Sequence, residues 1–108
     1  MSEKLEASIR LYAARVEVIG EEKEDDDVIA TLAERDGIQD EIDAGAELTL
    51  EQRKALKQAD DLLVSQARRV VAMHPDVFTP DRQDAGPPSY WWWFLNEGPD
   101  VRKRREAA

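Results

Sequence analysis

His74, the only histidine, and the acidic run at residues 21–27 are where the side chains of this chain could hold a metal or move a proton. A calcium loop needs oxygen ligands at alternating positions, a glycine turn and a distal glutamate. Glu21, Glu22, Lys23, Glu24, Asp25, Asp26 and Asp27 follow one another without that spacing. Lying between two helical patterns, they read as a solvated turn, dispensable to folding, whose last aspartates cap the next helix and complement its dipole. His74 falls at the end of a helix, where a cation complements the dipole. The Glu-x-x-His pair of carboxylate-bridged metal bundles is absent, because Val71 stands three residues before His74. Ser2, Ser8, Ser65 and Ser89 lie in no nucleophile-elbow context, and no glycine-rich phosphate loop occurs. So many carboxylates are present that no pair stands out for acid-base work. The expectation is a protein without catalytic apparatus, metal or cofactor.

All three tryptophans are consecutive, in the run Tyr90, Trp91, Trp92, Trp93, Phe94, Leu95. Each ring can bury about 150–250 Å², and at roughly 25 cal/mol per Å² a covered Trp contributes several kcal/mol. Left exposed, the run would be an apolar patch that soluble monomers seldom carry. As a helix its side chains surround the axis, and as a strand they alternate between two faces, so one neighbour cannot cover them all. The run can fold back between helices of its own chain. Alternatively some rings turn inward and the rest meet a protein partner, since Trp and Tyr are favoured hot-spot residues. Membrane-interface anchoring and stacking on single-stranded nucleic acid are further uses of rings near the basic cluster Arg102, Lys103, Arg104, Arg105. The acidity of the rest of the chain weighs against both.

The elements that must position these residues are helical. Leu5, Ile9, Tyr12, Val16 and Ile19 alternate spacings of four and three, the rhythm of one helical face. Ala7, Leu11, Ala14 and Val18 form a thinner stripe on roughly the opposite side. A helix apolar on two sides is generally covered on two sides, inside a bundle or by another chain. A second helix starts near Asp27, carries Val28, Leu32 and Ile42 close to one line, is open to a break near Asp36 where Gly37 disturbs the register, and stops at Gly45. Thr49 and Gln52 match a capping box that opens the third helix. There Leu56, Ala59, Leu63, Ala67, Val70 and Met73 line one broad side, and Pro75 ends the run. Residues 75–98 read as an ordered loop, pinned by Val77 and Phe78, together with the aromatic segment, both packing on the bundle, and residues 99–108 as a solvated basic tail.

The chain has 108 residues, enough for one domain, here a small all-α antiparallel bundle of about three helices. With no cysteine, neither a disulfide nor a thiolate metal site can hold it together. No secretory signal and no apolar stretch of about 20 residues is visible, so the expected location is cytoplasmic. A formal net charge of -9 repels the phosphate backbone and argues against general nucleic-acid binding. The expected function is a non-enzymatic interaction module, a subunit or adaptor that meets a protein partner or self-associates. Its contact residues would be Leu11, Val18, Tyr90, Trp91, Trp92, Trp93 and Phe94. The alternative is a small acidic inhibitor or antitoxin-like protein that occupies a basic groove on a partner.

Overall fold

A computed structural model describes residues 2–107, and every regular element among them is helical. Three long helices form the frame: α1 (Ser2–Val18), α2 (Asp25–Asp43) and α3 (Leu50–Met73). Two short ones, α4 (Pro80–Asp84) and α5 (Val101–Glu106), and 3-10 segments at Ile19–Glu21, Pro75–Val77 and Trp91–Glu97 complete it. The expected all-α bundle is therefore present, with more helices than the periodicity alone marks. Its Cα radius of gyration, 13.2 Å, matches the roughly 13 Å of a compact domain of about 100 residues.

The frame runs up, down and up. Lys4 near the start of α1 meets Glu41 near the end of α2, while Tyr12 meets Asp60 and Gly20 meets Arg69 in ascending order along α3. The buried face of α1 carries Leu5, Ile9, Tyr12, Val16 and Ile19, and it packs on both other long helices. The carbonyl of Gly20 accepts from Arg69 Nε at 2.6 Å, and a Cβ at Gly20 would stand 2.6 Å from Gln66 Oε1. Gly20 is thus where the turn after α1 can come close to α3.

Helix α2 starts two residues before the expected Asp27 and runs unbroken through Asp36 and Gly37. Gly37 is exposed with open space around it, and the core positions Val28, Thr31, Leu32, Arg35 and Ile38 keep helical spacing past it. Burial of that face overrides the local glycine penalty. The end of α2 is a Schellman motif: Gly45, at φ 106, donates to Ile42 O and Ala46 donates to Glu41 O, both at 3.0 Å. The capping box of α3 is complete, Gln52 N donating to Thr49 Oγ1 at 3.1 Å and Thr49 N to Gln52 Oε1 at 2.9 Å. Met73 departs from the expected core side. It is exposed, because the buried face of α3 ends at Val70 and passes to His74 beyond the helix.

The backbones of α2 and α3 stay apart, and long side chains such as Arg35 and Asp60 span the gap. The groove between them is filled by Pro75–Val77 and by the aromatic segment, both of which contact α2 and α3. The stretch read as a loop also folds one helical turn, α4, capped by Thr79 accepting from Arg82 N. The C-terminus is not a solvated tail: α5 lies on the aromatic segment and buries Val101. No helix of the described residues is long and apolar enough to cross a membrane.

Two glycines of the α2 region should respond in opposite directions to the same change. Gly45→Ala places a side chain at positive φ and should cost about 1–2 kcal/mol. Gly37→Ala removes backbone freedom from an open helical site and should stabilise by about 0.5–1 kcal/mol. Urea unfolding of both variants checks this, and a destabilised Gly37→Ala would mean that α2 is broken there after all.

Candidate functional site

The aromatic run folds as a 3-10 segment with a kink at Phe94, where φ is -120° and ψ is 28°. That irregular backbone sends the side chains in several directions, and here cover comes from several elements. Tyr90, Trp91, Trp92, Trp93, Phe94 and Leu95 are all buried, with Trp93 and Phe94 still 7% and 8% exposed. The expected division, part of the run inward and part open to a partner, is therefore corrected. α2, α3, α4 and α5 all pack on this segment, so more cover exists than one helix face could give.

The side-chain polar atoms of Tyr90, Trp92 and Trp93 are met by the acidic side of α2, whereas Trp91 Nε1 is buried without a partner. Trp92 Nε1 and Trp93 Nε1 both donate to Asp36 Oδ1 at 2.7 Å. Burial raises the Asp36 carboxyl above the usual carboxylate range, against the pull of those two N–H groups. The Tyr90 hydroxyl donates to Asp40 and to Asp43, and burial together with these carboxylates pushes its pKa up. Trp91 packs edge-on against Trp92 with ring centroids 5.5 Å apart.

Beneath Trp92 lies a buried ionic cluster that joins all three long helices. Arg35 of α2 and Asp60 of α3 pair through two bonds, Nε to Oδ1 at 3.0 Å and a second guanidinium nitrogen to Oδ2 at 3.1 Å. Tyr12 of α1 donates its hydroxyl to Asp60 Oδ1 at 2.7 Å. Arg35 and Asp60 are 4% and 2% exposed, so the pair is desolvated on every side. The Arg35 guanidinium sits 4.5 Å from the centre of the Trp92 ring, a cation–π contact strengthened by exclusion of water. Burial and the neighbouring Asp60 hold the Tyr12 phenol well above its ordinary pKa, so it remains a donor.

The basic cluster of α5 is bound within the chain. Arg102 donates to Asp61 Oδ1 at 2.6 Å, approaches Asp60 at 3.8 Å and lies 5.4 Å from the Trp91 ring centre. Arg105 stacks 3.4 Å from the Phe94 centroid and makes two bonds to Glu97, whose pKa it lowers.

His74 joins the far end of α3 to the acidic run. Its Nδ1 donates to Asp25 Oδ1 at 2.7 Å and its Nε2 to the Glu22 carbonyl at 2.8 Å. Both partners offer acceptor oxygens, so the site favours the doubly protonated ring. Burial alone would depress its pKa, but these bonds outweigh it and leave His74 above the ordinary value. The acidic run is thus more than a solvated turn.

The remaining expected contact residues lie elsewhere. Leu11 and Val18 are 44% and 43% exposed on the outer side of α1, with exposed Ala7 and Ala14 between and before them. The structure does not bring this stripe together with the aromatic run. Sequence reading passed over Arg35 and Asp60, although Asp60 falls between Leu56 and Leu63 on the apolar side of α3 and Tyr12 required a partner for its hydroxyl.

Truncating one member of the central pair should be severe. Asp60→Ala leaves a buried, unpaired guanidinium and should cost about 3–5 kcal/mol, whereas Arg35→Met with Asp60→Leu should cost much less. Equal losses by urea unfolding would show that desolvated charge is not the cause. At His74 the proton is held more tightly folded than unfolded, so its contribution is full below about pH 6.5 and is lost as pH rises through the folded pKa. Melting temperature should fall over that range in the native chain and vary less in Asp25→Asn, and a flat native profile would refute the doubly protonated ring. Set against protein-family models, curated proteins and solved structures, the chain matches none.

Proposed function

We propose that the protein is a non-enzymatic helical interaction module, a subunit or adaptor that meets a protein partner or a second copy through the outer stripe of α1. The observation that carries this reading is the exposure of Leu11 and Val18. They stand in line with two exposed alanines, opposite a face that is fully used by the core. Single exposed apolar residues are ordinary on a protein surface. Two of them at helical spacing, separated by small residues, make a seam onto which another helix can pack. The aromatic run serves this module as a brace between α2 and α3, the two helices on which α1 packs. With its rings buried, the docking role expected of Tyr90, Trp91, Trp92, Trp93 and Phe94 passes to α1.

A second reading, the acidic inhibitor, draws on the charge of α2. Apart from Arg35, every charged residue of that helix is acidic: Asp25, Asp26, Asp27, Glu34, Asp36, Asp40, Glu41 and Asp43. Arg35 is held by Asp60, which leaves the outer side of α2 without a basic side chain. Such a face suits a basic groove on a partner.

The two readings separate by mutation and by salt. Leu11→Glu and Val18→Glu lie at exposed sites and should change stability by no more than about 0.5 kcal/mol, while weakening association through α1. An acidic face would instead lose affinity steeply with ionic strength. Folded Leu11→Glu and Val18→Glu variants with unaltered association, measured by sedimentation, would sink the α1 reading.

A further inference from the structure

Resting on the reading of α1 as the docking helix, we infer that its outer stripe is covered by α1 of a second copy of this chain, packed antiparallel about a two-fold axis. Ala7, Leu11, Ala14 and Val18 follow one another at spacings of four, three and four, the seam positions of a heptad. Under a two-fold centred between Leu11 and Ala14, the seam is self-complementary in size. Leu11 faces Ala14 of the second copy and Val18 faces its Ala7, so each larger side chain meets a small one.

The charges beside the seam choose the orientation. Arg10 and Glu17 flank it on the same side, seven residues apart, and both are exposed. In the antiparallel pair that side meets its own counterpart, so Arg10 lies beside Glu17 of the second copy and Glu17 beside its Arg10. A parallel pair would bring Arg10 toward Arg15 of the second copy, cation against cation. Within the chain Arg10 is weakly engaged, meeting Glu6 at 3.9 Å between exposed side chains. Four apolar residues per protomer fall short of the roughly 800 Å² per partner of a standard interface, so the dimer is weak and concentration-dependent.

Sedimentation of the full chain up to about 1 mM tests this, with circular dichroism confirming that each variant keeps its fold. The native chain should show a monomer–dimer equilibrium that Leu11→Glu abolishes. Because the two-fold doubles every contact, Arg10→Glu or Glu17→Arg alone should weaken the dimer about tenfold. The double variant Arg10→Glu, Glu17→Arg should recover it, and an equimolar mixture of the two single variants should form a heterodimer. Failure of both rescues, with dimers still lost in Leu11→Glu, would overturn the antiparallel pairing while leaving α1 as the docking helix. A native chain that stays monomeric overturns the second copy as occupant, and the wider α1 reading then stands only if Leu11→Glu abolishes binding to a purified heterologous partner.

Discussion

Asp60 is the point on which the structure turns. It is a carboxylate in the middle of the longest helix, almost wholly removed from water, and a group in that position is tolerated only when its charge is met and its oxygens are hydrogen-bonded. Tyr12 and Arg35 do both, and each comes from a different helix. The geometry of three helices is thereby tied to one side chain. Apolar packing alone would permit sliding and rotation of α1 over its neighbours at small cost. A fixed pair with a phenol bonded to it does not, because any shift leaves a buried charge or hydroxyl without its partner.

The ionic cluster also explains why the aromatic run is needed. A guanidinium and a carboxylate in the groove between α2 and α3 keep those helices from closing on each other, and the space above them must still be sealed against water. Trp92 lies over Arg35, Trp91 packs edge-on against Trp92, and Arg102 lies beside Trp91 while also reaching Asp60 and Asp61. The result is alternating cationic and aromatic layers, in which Trp91 Nε1 and Arg102 Nε are buried without a hydrogen-bond partner. For a chain of 108 residues, whose surface is large for its volume, filling one groove with three tryptophans supplies much of the apolar burial that a fourth long helix would otherwise provide.

Charge is arranged by the same logic. The net acidity is not a uniform coat: carboxylates of α2 receive the indole and phenol groups of the aromatic run, Asp25 receives His74, and Glu97 and Asp61 hold the arginines of α5. The outer side of α1 has no such internal duty. Its apolar stripe makes no contribution to the core, and it is there that the proposed function is placed.

The long helices and their ends were legible because the interactions that form them are local. The face of Leu5, Ile9, Tyr12, Val16 and Ile19, the capping box at Thr49 and Gln52 and the stop at Gly45 involve neighbours a few residues apart, and spacing alone reveals them. The stripe at Leu11 and Val18 was legible for the same reason, but its exposure was decided by the packing of the bundle. Whether the tryptophans faced outward or inward was not, since their cover comes from helices more than fifty residues distant, as in the bonds from Trp92 and Trp93 to Asp36, 56 and 57 residues away. The pairing of Arg35 with Asp60, of His74 with Asp25 and of Arg102 with Asp61 likewise depends on which helix lies beside which. A charged residue looks solvent-facing in a linear pattern until tertiary structure supplies a partner close enough to repay its desolvation, and that closeness is a property of the packed bundle alone.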